Sequence, residues 1–462
     1  MRRCARIVVL LFLPILTESA GTAAGRLPGV ALREEGLSRL GLLDPASGAA
    51  KCGFPLLAFA SERRDAHPRE GAGAYAALLV RPATQMSILR DGVRVHYDTA
   101  GAHAPALLDG SFVRIPGTSH AYAESVAAIC ASVARRQTQE LGYAAPPPDG
   151  GSGGGDEYDV YVQELGALYG ETAPETNLGG RRYTTFMTID NDFVFVSPAA
   201  NRGLPALRVT LAHEYHHAVQ LGGYGYWGYP HIAYYEMSCV WMEDVLYPEV
   251  NDYLVYVRSS LGHFRHPHVP FPSTDIIMYS RGIWCHFLAA RFAGDLMRRS
   301  WEWMAAVPPL AALDRTLREA PYQTGFQSAF AEWALWNYYT GGRADSLHYP
   351  EGREYPEVFQ EPAAFTPPAR RIEGALGPLA ARYHQTPQTP DTLTLALANL
   401  DLDRAAAGDE TESPYALILN VERPDPGYVP TGSGLFVKLE VADPGLWHNW
   451  SLVRGGIPLS LA

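Results

Sequence analysis

The sequence predicts an α+β protein: a domain with a mixed sheet and two facing helices rich in histidine and glutamate, followed by a small all-β sandwich. Three observations carry this. Strand-like stretches at 93–97, 158–163 and 183–189 flank helical periodicity between 119 and 141. From 205 to 339 the pattern is helical, with prolines near the starts and glycines near the ends. Beyond residue 370, apolar residues alternate with period two at 392–398, 416–421 and 435–441, separated by Pro, Gly and Asp clusters.

Arg2, Arg3 and Arg6 precede an apolar run at 7–16 and small residues at 19–25, the pattern of a signal peptide over 1–25. The run is about half the ~20 residues that a spanning helix needs, and no other stretch is long enough. The expectation is a secreted, extracellular chain with no membrane span after signal cleavage. Cys52, Cys130, Cys239 and Cys285 then remain, enough for two disulfides in any of three connectivities or for isolated buried thiols. A length of 462 residues suggests roughly two to four domains, and 47% apolar with 19% charged residues is ordinary globular composition. The net charge of −12 argues against nucleic acid and against a polybasic membrane surface.

Residues 26–85 show little periodicity and read as a leader or a propeptide-like segment shielding a site. Thr118 or Ser119 is placed to cap the helix that runs towards Leu141. The Gly- and Pro-rich run at 146–155 is a loop with nothing that suggests phosphate binding. The strand at 183–189 closes in Asp190-Asn-Asp192, where a structural Ca2+ is conceivable but a turn bonded to its own backbone is favoured. Pro205 and Gly222-Gly223 frame one helix, and Pro230 and Pro248 frame the next. Further helices are expected at 276–292, 295–304, 310–320 and 326–339. The main domain is bounded at 86–344, with a Pro- and charge-rich linker at 345–370 and the sandwich at 371–462.

His213-Glu214-Tyr215-His216-His217 fits H-E-x-x-H. On a helix, residues four apart lie one above the other, so His213 and His217 can meet one ion while Glu214 reaches a water beside it. Catalytic zinc takes three protein ligands, and Glu236, eighteen residues beyond His217, lies on the returning helix. Glu243 is two turns further on the same face, where it can orient a ligand histidine or simply sit at the surface. His216 points about 100° away from His217 and reads as a packing residue.

The motif and its third glutamate resemble the gluzincin metallopeptidases. Val93-Arg-Val-His-Tyr-Asp-Thr99, Tyr158-Asp-Val-Tyr161, Ile189-Asp-Asn-Asp-Phe193, Thr210-Leu-Ala-His-Glu-Tyr-His-His-Ala-Val-Gln220, Trp241-Met-Glu-Asp244 and Trp336-Asn-Tyr-Tyr339 narrow the likeness. Together they look like a family of secreted metalloproteases of myxobacteria and other high-GC bacteria, distantly similar to immune inhibitor A. The likeness runs over about 90–345. One departure is the third-ligand segment, Tyr235-Glu-Met-Ser-Cys239, where such enzymes prefer Asn-Glu-Gly or Glu-Gly-x-Ala. The resemblance implies one catalytic Zn2+ held by His213, His217 and Glu236, with Glu214 as general base. It implies a protein or peptide substrate; the spacing does not decide between cutting within the chain and trimming its N-terminus, and the first is favoured because no equivalent of the aminopeptidases' amine-binding motif is found. In the aminopeptidase branch a glutamate at the offset of Glu243 orients a ligand histidine. Related enzymes supply an oxyanion donor from a later helix; Tyr279 is the candidate, with His263, His266 and His268 as rivals. A strand near 183–189 is expected at the sheet edge, where an extended peptide adds. The sandwich is expected to bind a surface or partner. The alternatives are a zinc-binding protein without catalysis and a metallohydrolase of non-peptide substrates.

Overall fold

The computed structural model describes residues 27–67, 73–361 and 379–384, together with five strands beyond them. The segment expected to be a signal peptide, 1–25, lies outside the described residues. A six-stranded mixed sheet organises the fold, in the order β1-β5-β6-β4-β3-β2. Its strands are β1 (Ala50–Cys52), β2 (Met86–Arg90), β3 (Val93–Tyr97), β4 (Tyr158–Gln163), β5 (Leu168–Gly179) and β6 (Arg182–Asp190). β3, β4 and β6 are mutually parallel, while β5 runs antiparallel to β6 and β2 antiparallel to β3. The central β4, Tyr-Asp-Val-Tyr-Val-Gln, is buried almost throughout, as a strand covered on both faces should be.

β6 is therefore an interior strand, and the expected edge at 183–189 is corrected: the edges are β1 and β2. Periodicity missed β1, β2 and β5, of which β5 is the longest. Gly170, Pro174 and Asn177 dilute its β character, and the register shifts between Pro174 and Gly179. Pairing with β6 makes it a strand where its own sequence does not.

Helix α3 (Ser119–Arg135) packs on β3, and Tyr122 donates a 2.9 Å hydrogen bond to the Asp190 carbonyl. Thr118 precedes it but makes no side-chain cap; its hydroxyl accepts the Leu107 N–H instead. Two helices, α4 (Leu204–Val219) and α5 (Ile232–Leu246), pack against each other, with α4 also against β5 and β6. Both are buried almost all round, which marks central helices rather than surface ones. The shorter α6 (Tyr253–Val257), α7 (Ile277–Ser280), α8 (Gly282–Phe292), α9 (Asp295–Met304), α10 (Pro309–Arg318) and α11 (Phe326–Tyr338) complete the helical side.

The folded unit extends beyond 86–344 at both ends. Before it, the stretch expected to be a leader or propeptide-like segment supplies α1 (Pro28–Arg39), β1 and α2 (Phe54–Ala66). Cys52, Phe54, Leu56 and Leu57 belong to the core, and Arg33 of α1 pairs with Glu171 of β5 at 3.0 Å. The signal was weak because β1 has three residues and the helices mix alanine with arginine. After it, Tyr349, Tyr355 and Val358 of the expected linker are buried, with the Tyr349 hydroxyl 2.8 Å from Asn337 Oδ1. Three aromatic or branched side chains suffice to dock a Pro-rich stretch.

Beyond residue 384, strands β7 (Thr392–Leu397), β8 (Leu417–Val421), β9 (Phe436–Val441), β10 (Trp450–Arg454) and β11 (Ile457–Leu459) are present. They form a two-stranded sheet, β7-β9, and a three-stranded sheet, β11-β10-β8. Cys52, Cys130, Cys239 and Cys285 are buried free thiols. Among the described residues no helix is long and apolar enough to cross a membrane.

Candidate metal centre

The centre begins with α4, whose start is set by Gly203 at φ +69° and Pro205 in the first turn. Helical spacing stacks His213 and His217, with ring centroids 4.9 Å apart. From α5, Glu236 reaches both: its Oε2 lies 3.2 Å from His213 Nε2 and its Oε1 3.2 Å from His217 Nε2. Cys52 of β1 joins them, its Sγ 3.5 Å from His217 Nε2. Donor atoms of these four residues all lie within 4.8 Å of one another, and all four are buried. Ligands at ~2.1 Å around a tetrahedral ion stand about 3.4 Å apart, so the observed spacings and the N, N, O and S donors fit zinc.

The outer ring nitrogens fix how the two imidazoles are turned. His213 Nδ1 lies 2.7 Å from Glu243 Oε1 and donates its N–H there, which turns Nε2 towards Glu236. His217 Nδ1 lies 2.9 Å from Gln220 Oε1. The Gln220 amide is oriented by its own Nε2, which donates to the Tyr235 carbonyl at 3.1 Å and to Ser238 Oγ at 3.0 Å. Behind Glu243 stands Lys51, buried, with Nζ 2.7 Å from Glu243 Oε2 and 2.6 Å from Asp252 Oδ2. Burial would lower the Lys51 pKa, but the two carboxylates outweigh it and raise it.

The charges inside the centre oppose each other. Burial alone would raise Glu236, but His217 and His213 hold it down at about 2. His213 is pushed up to about 9, because bonds to Glu236 and Glu243 outweigh the opposing effect of burial. The Cys52 thiol is pushed well above its usual value by burial first, then by Glu214 and Glu236, while the Phe54 N–H points at its sulfur from 3.3 Å.

Glu214, next to His213 on α4, meets β5. Thr172 Oγ1 lies 2.8 Å from Glu214 Oε2 and 2.9 Å from its carbonyl, and burial raises the carboxyl pKa. Gly170 makes this approach possible: a Cβ there would lie 2.8 Å from Thr210 Cγ2 and 3.1 Å from Glu214 Cγ. Tyr279 is buried, and its hydroxyl has no hydrogen-bond partner among the described residues. Its pKa is raised well above 10 by burial and then by Glu236, Cys52, Tyr256 and Glu214, so the phenol feels the centre's negative charges.

The remaining candidates lie elsewhere. His263 stacks on Trp333 at 4.5 Å and meets Asn337, and His266 Nε2 lies 2.9 Å from the Ser260 carbonyl. His268 packs beside His266. His216 bonds Gln137 Oε1 at 2.9 Å and packs edge-on against Tyr143 and Trp301. At Asp190-Asn-Asp192, Asp190 accepts the Leu165, Asp192 and Phe193 N–H groups, and Arg114 engages Asn191 and Asp192. Those side chains are bonded to backbone N–H groups and to a guanidinium, as in the turn that the sequence favours.

Sequence reasoning missed Cys52, Lys51, Thr172 and Gln220. Gln220 was recoverable, since three residues after His217 it lies on the same helical side. The others come from strands with no spacing to the motif. No protein-family model, curated protein or solved structure matches the chain.

Proposed function

We propose that the chain is a secreted zinc metallopeptidase. On this reading the fold is a gluzincin catalytic domain, and the C-terminal strands belong to a β-sandwich that binds a surface or partner. The observation that carries the proposal is the convergence of His213, His217 and Glu236 with Glu214 beside them. Those three side chains would hold a zinc ion, which would supply Lewis acidity towards a carbonyl and a more acidic water.

The chain's own groups do the rest. Thr172 holds Glu214 Oε2, leaving Oε1 to take a proton from the attacking water and pass it to the leaving amine. Burial raises the proton affinity of Glu214, as a base that must later act as an acid requires. The Tyr279 phenol keeps its proton at neutral pH and is the donor for the developing oxyanion. Glu243 and Gln220 fix the two imidazole rings so that both Nε2 atoms face inward.

A second reading has an observation of its own. Four buried protein donors, Cys52 included, make a closed set of the kind found at structural zinc sites, which favours a zinc protein without catalysis. Zinc content and cleavage of casein or a peptide library separate the two when measured for Cys52→Ala and for Cys52→Ala with Glu214→Gln. The metallopeptidase reading expects one zinc in each and cleavage only with Glu214 intact. Equal cleavage in the two would remove Glu214 from the mechanism, and zinc without cleavage in either would leave the closed site.

A further inference from the structure

We propose that Cys52 is a fourth protein ligand of the centre, brought there by a strand that occupies the substrate's edge, so that the folded chain is latent until β1 leaves β5. The latency rests on the metallopeptidase reading; the ligation does not.

The geometry has three parts. The first is the edge itself. β5 borders the centre, because Thr172 bonds Glu214 and Gly170 packs directly on the Glu214 side chain. An extended peptide added to the free side of β5 would run past Glu214 and the metal donors. That side is taken: β1 pairs with β5 in parallel, Ala50 opposite Leu168 and Cys52 opposite Gly170. The ladder closes through Ala50 N–H to the Ala167 carbonyl and Gly53 N–H to the Gly170 carbonyl, each at 2.8 Å.

The second part is the side chain that this pairing delivers. Opposite Gly170, which packs on the Glu214 side chain, β1 presents a sulfur, 3.5 Å from His217 Nε2. Thiolate is a strong zinc donor, and the Phe54 N–H directed at Sγ stabilises negative charge on it. Ligation forms the metal–sulfur bond and releases the thiol proton to solvent. The Phe54 ring lies 4.3 Å from the His217 ring and covers the same side of the centre.

The third part is what anchors the strand. Lys51, the neighbour of Cys52, is paired with Glu243 and Asp252, and Arg33 of α1 is paired with Glu171 of β5. Every residue from 50 to 58 is buried. A three-residue strand would fray by itself; these ion pairs and the α2 core hold it in place.

The test uses the full chain with Co2+ in place of zinc, because a cobalt–thiolate bond gives a charge-transfer absorption that imidazole and carboxylate ligands do not. The expected result is one Co2+ per chain, with the thiolate absorption present in the wild type and in Cys239→Ser. It is lost in Cys52→Ser, which still binds one Co2+. With zinc, Cys52→Ala removes the metal–sulfur bond that ties β1 to the centre and frees the fourth position, so it should cleave peptides about tenfold faster than wild type or more, the factor imposed when about nine-tenths of the molecules are closed. Wild-type protein that binds one Co2+ without thiolate absorption would overturn the ligation and leave the metallopeptidase reading standing. So would absorption lost in Cys239→Ser and kept in Cys52→Ser. If the absorption behaves as expected but Cys52→Ala is no faster than wild type, the latency is wrong. A Cys52→Ala protein that binds zinc and cleaves nothing overturns the latency together with the metallopeptidase reading, while the cobalt spectrum still decides the ligation.

Discussion

The two sides of the centre are built differently. On the helical side, α4 and α5 contribute His213, His217 and Glu236, and each can be placed from sequence spacing alone. On the strand side, β1 and β5 contribute Cys52, Lys51 and Thr172, drawn from separate parts of the chain and joined only by sheet pairing. A helix writes its geometry into local spacing, whereas a strand's neighbours are set by tertiary pairing. The helical side can be deduced; the strand side has to be seen. The difference also predicts a division of labour, in which the helices bind the ion and the strands control the environment and access.

The largest expected effect comes from the strand side. Lys51 is buried between Glu243 and Asp252, and removing one member of a buried ion network leaves the others uncompensated. Lys51→Met should cost about 3–5 kcal/mol of stability, read from urea unfolding of the metal-free protein. A loss below about 1 kcal/mol would mean that the strand is not anchored through this lysine, and would weaken the contrast between the two sides.

Next in size is the link between the sides. Glu243 takes the His213 N–H and receives Lys51, so it fixes the orientation of one imidazole. Glu243→Gln should lower zinc affinity by about 10–100-fold, as such supporting carboxylates do, and competition against a chromogenic chelator measures it. Unchanged affinity would show that the helical side holds the metal without help.

How far the sequence could be read follows the same line. The strands at 93–97 and 158–163 and the helices that carry the centre lie within a few residues of expectation, because alternation and proline or glycine punctuation are local signals. β5 was invisible because Gly170, Pro174 and Asn177 contradict strand propensity, although Gly170 is what lets the strand meet Glu214. β1 was invisible because Ala-Lys-Cys carries no pattern at all, and its lysine would ordinarily be read as exposed. Tyr279 was chosen because it opens a helix, and its position near Glu236 and Glu214 depends on packing that no spacing encodes.

The smallest expected effect compares two adjacent carboxylates on α5. Glu243 is compensated by Lys51, but its neighbour Asp244 has no lysine or arginine paired with it among the described residues. Its Oδ1 is buried without a hydrogen bond there, and the His286 ring, with Nδ1 3.9 Å from Asp244 Oδ2, is pushed down to about 4 by burial. Burial first, then the charges of Glu351, Glu243 and Glu249, raise Asp244 to about 7. An unfolded aspartate titrates near ~3.9, so between those values the folded state holds a proton that the unfolded state has released. Stability is therefore full below about pH 4, falls as pH rises towards 7, and stays reduced above it. Asp244→Asn removes that loss. It should match wild type at pH 4 and exceed it at pH 8 by on the order of 1 kcal/mol, discounted for the carboxyl's partial contact with solvent. Unfolding curves at the two pH values decide the matter. A variant no more stable than wild type at pH 8 would mean that the uncompensated charge on α5 is relieved in solution, leaving Glu243 and Lys51 less distinctive than the geometry makes them.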